Sequence, residues 1–167
     1  MEGTKPQLIF ENLWQKSETH VHQKIEQLWK KNFPSLSEEQ ISKRLQQVIF
    51  AVQTTEGEVV GVSTCFRAYV QQLKNYLYAF RFFIAPAYRI PGLMEVLLVK
   101  TRDFMEEISQ TDEPADKRCI GLITLVENAR IMKQRKEAIF PASKMVYIGN
   151  SPKGYQIRVY YFKKAMI

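Results

Sequence analysis

The chain has 167 residues, of which 46% are hydrophobic and 25% are charged, and its formal net charge is +7. This length and composition predict one globular domain, residues 1–167, and exclude the disordered, collagen-like and low-complexity classes. The positive charge favours an anionic partner, and charge alone does not choose among nucleic acid, a membrane surface and a phosphate-bearing cofactor.

The N-terminal segment 1–6 has no basic region followed by an apolar one, and the chain contains no uninterrupted apolar run long enough to span a bilayer. We therefore expect a cytoplasmic protein without a membrane span. The two cysteines, Cys65 and Cys119, lie in apolar segments typical of strands. We expect both to be buried free thiols, and neither a disulfide nor a metal site.

The first part of the chain predicts a strand followed by two helices. Residues 7–13 are a candidate first strand. Apolar residues then recur from Val21 to Trp29 at helical spacing, and the pattern ends near residues 32–34. Ser37-Glu-Glu-Gln40 is a capping box, which predicts the start of a second helix.

Three strands are predicted next. β-branched and aromatic residues dominate 48–52 and 58–66, and the polar turn 54–57 between them predicts a β-hairpin. The segment Tyr76–Ile84 is rich in strand formers and ends just before Pro86. We expect it to be a central strand that packs on both faces.

The C-terminal half predicts further alternation of helix and strand. Apolar spacing from Leu93 to Ile108 indicates a helix that opens at Pro91. The remaining elements are a buried strand at 119–126, a helix at 128–138, and a closing hairpin of strands at 144–148 and 156–162. The order β, α, α, β, β, β, α, β, α, β, β predicts an α/β fold, a mixed sheet of about six to seven strands flanked by about four helices.

The segment Phe82–Met94 is the strongest candidate for a binding site. An apolar strand breaks there and leads within a few residues into a helix that lacks an Asn, Asp, Ser or Thr cap. The first N–H groups of such a helix have no internal acceptor. With the positive end of the helix dipole and Arg89 beside it, this segment suits a phosphate. An ordinary loop whose N–H groups meet water explains the same residues.

The order of elements, together with this segment, resembles the GNAT superfamily of N-acetyltransferases. In that family a strand ends in V-x-P-x-Y-R and continues into Q/R-x-x-G-x-G/A at the start of the next helix. This chain has Ile84-Ala-Pro-Ala-Tyr-Arg89 followed by Arg89-Ile-Pro-Gly-Leu-Met94. The resemblance spans almost the whole chain by element order and implies a GNAT-like acyl-CoA N-acyltransferase fold. It also implies acetyl-CoA or a related acyl-CoA as cofactor.

The resemblance implies roles for the residues that would surround the cofactor. The backbone groups of Phe82, Phe83 and Ile84 would face the pantetheine arm. The segment that would wrap the pyrophosphate consists of Arg89, Ile90, Pro91, Gly92, Leu93 and Met94. Met94 stands where the family has its second small residue.

The helix after the fifth strand departs from the family pattern N-x-x-A-x-x-x-Y-x-x-x-G-F. Asn128, a further candidate for binding the cofactor, and Phe140 match it. Ile131 stands for the Ala, Arg135 for the Tyr that commonly protonates the leaving thiolate, and Ile139 for the Gly. The usual general acid is therefore absent from its usual place.

Acyl transfer to an amine needs a base for the ammonium proton and an acid for the departing thiolate. The central strand contains no carboxylate, so Glu127, at the end of the following strand, is the candidate base. Tyr147 is the candidate acid. The alternatives are a surface Glu in the first turn of a helix, and a Tyr with its ring in the core and its hydroxyl at the edge.

Arg81 and Tyr78, both on the central strand, are the candidates for binding the acceptor. A charge in an apolar strand needs a partner or a water-filled cleft, so Arg81 either lines the acceptor pocket or extends to solvent at the strand end. Tyr78 has the same ambiguity as Tyr147 between a site residue and a core residue with its hydroxyl at the edge.

We expect an N-acyltransferase that moves an acetyl or other acyl group from a CoA thioester directly to an amine on a small molecule or peptide. One alternative is a catalytically inactive GNAT-like binding or regulatory domain. Another is an enzyme similar to the N-acyl amino acid and acyl-homoserine lactone synthases, which take the acyl chain from an acyl carrier protein.

A nucleic-acid-binding module ranks lowest, because no recognised reader motif is present. Its residues would be the densest basic group of the chain, which comprises Arg130, Lys133, Arg135 and Lys136 and spans two predicted helical turns. A solvated helix face, or an interface in an oligomer, explains this group as well.

Overall fold

The computed structural model describes residues 3–16 and 18–167, and the first two residues of the N-terminal segment discussed above lie outside it. The strands are β1 Leu8–Asn12, β2 Val48–Thr54, β3 Val59–Val70, β4 Asn75–Ile84, β5 Gly121–Val126, β6 Val146–Asn150 and β7 Gln156–Tyr161. The α-helices are α1 His20–Asn32, α2 Glu38–Leu45, α3 Leu93–Ile108 and α4 Ala129–Gln134. Among the helices described, none combines the length and the apolar character needed to cross a membrane.

These strands form one mixed sheet in the order β1-β2-β3-β4-β5-β7-β6. β2 is antiparallel to β1 and to β3, and β7 is antiparallel to β5 and to β6. β4 and β5 are parallel, and α3 lies between them in the chain. The element order and the mixed α/β class predicted from the sequence are confirmed.

The chain separates into two compact units, Met1–Cys65 with Phe82–Met94 and Phe66–Arg81 with Glu95–Ile167. We call them the first and the second unit and describe each by itself. The organisation of residues 1–167 as a single domain stays a prediction.

The core of the first unit lies where α1 and α2 pack on β2 and β3. Its buried apolar residues are Leu13, Ile25, Trp29, Ile41, Val48, Ala51, Val59 and Val62. Both helices begin with a capping box. The predicted one joins Ser37 and Gln40, and a second joins Thr19 and His22.

The second unit contains its own apolar cluster, built on β4, β5 and β7. Leu77, Ile120 and Val159 are its buried members. α3 is anchored to the end of β7 through Glu106, whose carboxylate accepts hydrogen bonds from the Tyr160 hydroxyl at 3.1 Å and from the backbone N–H of Lys163 at 2.7 Å. A helix carboxylate therefore binds the chain as it leaves the last strand.

β5 begins at Gly121, later than the predicted start at Cys119, and it is buried only in its first half. Leu125 is 47% exposed. Cys65 and Cys119 are both buried, as expected. Burial raises the pKa of the Cys119 thiol to about 12, so this thiol stays protonated at neutral pH and is a poor nucleophile.

The prediction that α4 extends to Ala138 is wrong, because the helix ends at Gln134. The chain beyond it bonds to the start of β6 instead: the N–H of Tyr147 donates to the carbonyl of Ala138 at 2.8 Å, and the N–H of Phe140 donates to the carbonyl of Met145 at 3.0 Å. These long-range bonds require non-helical backbone. The basic group is consequently divided between α4 and the segment that follows it.

His22, in the capping box of α1, is a titratable residue that is 4% exposed. The ring Nδ1 of His22 accepts a hydrogen bond from the backbone N–H of Thr19 at 3.0 Å. Burial lowers the pKa of His22 below its usual 6.5, although Glu18 and Glu11 act in the opposite direction. Protonation would fill the Nδ1 lone pair and remove this bond.

We therefore expect the stability linked to His22 to be complete above about pH 6.5 and to decrease as the pH falls from there through the lower pKa of the folded state. The reason is that, below about pH 6.5, His22 binds a proton in the unfolded chain more readily than in the folded chain. His22→Gln keeps a side-chain acceptor for the cap, as Gln40 does in α2. It should remove the contribution of His22 to the slope of the free energy of unfolding against pH. Urea unfolding of both proteins between about pH 5 and pH 8 measures the difference, and identical slopes would contradict the assignment.

Gly121 of β5 lies close to the backbone of β7. A Cβ atom added there would overlap the backbone carbonyl of Tyr160, which cannot move without breaking the sheet. We expect Gly121→Ala to lower the free energy of unfolding by about 3 kcal/mol or more. Chemical denaturation measures this, with Gly3→Ala as the matched control, because no heavy atom lies within 4 Å of a Cβ at Gly3. Equal stability of the two variants would show that the strands adapt.

Candidate functional site

The parallel pairing of β4 with β5 is short. Its last pair is Ala79 with Ile123. One residue further on, the side-chain hydroxyl of Thr124 donates to the backbone carbonyl of Phe80 at 3.2 Å. Among the described residues the parallel register goes no further, although β4 continues to Ile84.

The chain that leaves β4 is held within the first unit by two hydrogen bonds. The backbone N–H of Ala85 donates to the carbonyl of Val60 at 2.8 Å. A short 3-10 turn, Pro86–Tyr88, follows, and the Tyr88 hydroxyl donates to the Glu58 carboxylate at 3.2 Å. Desolvation and the Glu58 charge both raise the pKa of Tyr88, so the hydroxyl keeps its proton and this bond.

Arg89 is fixed at the end of β4. Its Nε donates to the carbonyl of Ile84 at 3.0 Å, and its guanidinium carbon lies 5.7 Å from the centre of the Phe83 ring. The Phe83 ring in turn packs edge-on against Phe33, with centroids 4.9 Å apart. Phe82 is 41% exposed, and Arg89 as a residue is exposed too. The structure therefore brings three predicted site residues, Phe83, Ile84 and Arg89, into contact.

α3 starts at Leu93 and not at Pro91 as predicted, because a turn intervenes. Gly92 has a φ of +85°, in the left-handed region, and the N–H of Leu93 donates to the carbonyl of Ile90 at 3.3 Å. A Cβ added to Gly92 would meet no heavy atom within 4 Å. The turn therefore requires glycine for its conformation and leaves open space beside it, while Met94 is half-buried at the helix start.

In the second unit, α4 is capped by Asn128. Its side-chain oxygen accepts hydrogen bonds from the N–H groups of Arg130 at 2.9 Å and Ile131 at 3.2 Å. Glu127 is exposed and precedes this cap. Glu127 is thus a surface carboxylate that lies outside the first turn of α4. The Asn128 side chain caps this helix.

Arg135 stands where the resemblance places a tyrosine, and it forms an ion pair that the sequence analysis did not anticipate. Its Nη2 lies 2.7 Å from Oε1 of Glu95, and its Nε lies 3.6 Å from the Glu137 carboxylate. The Glu95 hydrogen bond is the largest of the effects that raise the pKa of Arg135. The side chain is therefore a permanent cation and cannot donate a proton as a tyrosine would.

Tyr147 is 42% exposed, so the alternative of a ring in the core is wrong for this residue. Its hydroxyl donates to the side-chain oxygen of Asn150 at 3.1 Å. This arrangement holds the phenol at the surface of the second unit.

Arg158 is not among the residues predicted from the sequence, and it is 1% exposed. Its guanidinium carbon lies 3.5 Å from the centre of the Phe140 ring and 5.9 Å from that of Tyr147. Nη1 donates to the backbone carbonyls of Ala138 and Met145 at 3.4 Å each. Burial lowers the pKa of this guanidinium. Arg158 therefore supports the segment that separates α4 from β6.

The two candidates for binding the acceptor differ in their surroundings. Tyr78 is buried, and its hydroxyl is hydrogen-bonded to the Asp112 carboxylate. Arg81 is half-buried, with its guanidinium carbon 4.9 Å from the centre of the Phe66 ring. Their roles, and those of Glu127, Tyr147 and the cofactor residues, stay predictions.

No protein-family model matches the chain. No curated protein matches it in sequence either. Solved structures do match: a GNAT superfamily phosphinothricin acetyltransferase from Sinorhizobium meliloti, in complex with acetyl-CoA, aligns with a TM-score of 0.68 and 9% identity over 95% of this chain and 90% of its own.

Two further solved structures align over most of both chains. The GNAT family N-acetyltransferase YhbS from Escherichia coli, in complex with CoA, has a TM-score of 0.54 and 13% identity, covering 95% of this chain and 84% of its own. A mutant of the toxin AtaT, bound to the C-terminus of the antitoxin AtaR and to acetyl-CoA, has a TM-score of 0.58 and 11% identity, covering 93% of this chain and 94% of its own. At these identities the alignments establish a shared fold.

We expect Asn128→Ala to destabilise α4 by about 1 kcal/mol, because two N–H groups lose their acceptor. Amide hydrogen exchange at Arg130 and Ile131, followed by NMR, should become about fivefold faster. Asn128→Asp keeps an acceptor oxygen and should exchange at the wild-type rate. Unchanged exchange in Asn128→Ala would show that the cap contributes nothing to the helix.

Proposed function

We propose that this chain, whose fold is that of the GNAT acetyltransferases, is an N-acyltransferase that moves an acetyl group from acetyl-CoA directly to an amine. The observation that supports the proposal most is the early end of the β4–β5 pairing, after Ala79 and Ile123. β4 continues past this point and leads into the open turn at Gly92 and the start of α3.

The donor would bind along the chain from Phe82 to Met94. Backbone groups of the strand end, residues 82–84, would face the pantetheine arm, and residues 89–94 would hold the pyrophosphate. Three features fit this role: the exposed cation of Arg89, the open space beside Gly92, and the N–H groups of the first turn of α3 after that of Leu93, which have no acceptor within a helix. A compact phosphate group can therefore approach the backbone closely at the turn.

In the proposed reaction a bond forms between the amine nitrogen and the acyl carbon, and the bond from that carbon to sulfur breaks. The exposed carboxylate of Glu127 takes the proton from the ammonium. The hydroxyl of Tyr147, oriented by Asn150, supplies a proton to the departing thiolate, and the second proton that the nitrogen loses as the amide forms restores this hydroxyl. Arg81 and Tyr78 would bind the acceptor. Direct transfer is supported by the two cysteines, since both are buried and burial raises the pKa of the Cys119 thiol to about 12, which makes that thiol a poor nucleophile at neutral pH.

One observation favours a second candidate, a GNAT-like binding or regulatory domain without activity. Arg135, at the position of the family's tyrosine, is committed to an ion pair with Glu95 and has no proton to donate. In that case the chain would bind CoA and act through a protein partner. The AtaT structure, in which an antitoxin segment is bound, is a neighbour with such a partner.

We expect purified protein to bind acetyl-CoA and CoA in the micromolar range by isothermal titration calorimetry. Arg89→Glu should weaken binding more than tenfold, because it replaces the cation beside the phosphates with an anion. Gly92→Trp should abolish binding, because its side chain fills the open space and the left-handed backbone is strained. Lys43→Glu, an equal charge reversal at an exposed position of α2, should bind as the wild type does.

The absence of wild-type binding to both ligands would contradict the acetyl-CoA proposal and direct the search to acyl carrier proteins. Binding without acylation of any amine in a broad screen would favour the inactive binding domain. Far-UV circular dichroism of each variant separates a lost site from a lost fold.

A further inference from the structure

The first turn of α3 carries a negative charge at the position proposed to receive a phosphate. Glu95 is the acidic residue of that turn and follows Met94 directly in the chain. A carboxylate at a helix N-terminus stabilises the helix by interacting with its dipole. It also repels a second anion that approaches the same N–H groups. Left alone, Glu95 would oppose the binding of a pyrophosphate there.

Glu95 forms an ion pair with Arg135. Nη2 of Arg135 lies 2.7 Å from Oε1 of Glu95, and the side chains of the two residues are 31% and 26% exposed, respectively. A partly buried pair at this distance is screened by salt less than a pair in open solvent. The positive charge of Arg135 thus acts directly on the carboxylate of the first turn of α3.

Two further charged side chains of the second unit, Glu137 and Arg158, interact with this pair. Glu137 lies 3.6 Å from Nε of Arg135, and the buried guanidinium of Arg158 interacts electrostatically with both Glu137 and Arg135. Two carboxylates and two guanidinium groups therefore form a neutral cluster. Removal of one guanidinium leaves an excess negative charge next to the first turn of α3.

We propose that Arg135 is a positioning residue for CoA, in that its ion pair with Glu95 cancels the negative charge in the first turn of α3 and so allows the pyrophosphate to bind there. The inference rests on the proposed function, since it needs a CoA site at this helix. It assigns to Arg135 an electrostatic role that does not depend on proton transfer.

Calorimetric titration with CoA of the wild type, Arg135→Gln, Glu95→Gln and the double variant tests this inference. Arg135→Gln should bind CoA about fivefold more weakly, the effect of one uncompensated charge at a distance of several ångströms. Glu95→Gln should bind as tightly as the wild type or more tightly. The double variant should regain an affinity within about twofold of the wild type, because the repelling carboxylate is gone.

Arg130→Gln is the matched control, since it removes one arginine charge from α4 without breaking an ion pair with α3. It should change CoA affinity by less than about twofold. Thermal unfolding without ligand should give similar midpoints for Arg135→Gln and the double variant, so that a difference in their affinities reports on charge and not on folding.

A double variant as weak as Arg135→Gln would overturn the inference and assign the pair a purely structural role. So would an Arg135→Gln variant that binds CoA as the wild type does, or an Arg130→Gln variant that loses as much affinity. These results differ from failure of the proposed function, in which the wild type itself does not bind CoA.

Discussion

A pair of parallel neighbouring strands imposes a constraint on the chain, because it requires a crossover that carries the chain back to the starting edge of the sheet. β4 and β5 are such a pair, and α3 is part of the connection between them. The turn at Gly92 and the start of α3 therefore lie on the segment that leaves the end of β4. A strand end, a glycine turn and a helix N-terminus come together as a consequence of topology, before any particular side chain is considered.

Two arginine side chains, Arg135 and Arg158, keep their positive charge at neutral pH. Arg135 holds its proton against any ordinary acid–base partner, and Arg158 is held among backbone carbonyls and the Phe140 ring. Proton transfer would then belong to exposed groups, Glu127 and Tyr147, on the surface of the same unit. Under the proposed function, the buried and paired arginines would contribute structure and electrostatics, and the chemistry would fall to the side chains that water and substrate can reach.

Features that depend on residues close together in the chain could be predicted from the sequence, whereas features that depend on residues far apart in the chain could not. Ser37 and Gln40 cap a helix from within one turn, and this cap is found where it is expected. The end of α4 is not found where it is expected: the helix ends at Gln134, and Ala138, the predicted last residue, instead accepts a hydrogen bond from Tyr147, nine residues along the chain. The burial of Arg158 likewise depends on carbonyls contributed by a distant segment. Local patterns identify elements, while the partners that complete a site are supplied by tertiary contacts.

The two cysteines have a practical consequence. Cys65 and Cys119 are both buried, and the Cys119 thiol stays protonated far above physiological pH. Maleimide and iodoacetamide reagents attack exposed thiolates, so we expect them to leave both cysteines of the folded protein unmodified. A single cysteine introduced on the exposed turn after β4 could therefore carry a fluorophore or spin label on an otherwise unlabelled protein. The motions of that turn would become directly observable without first removing either native thiol from the core.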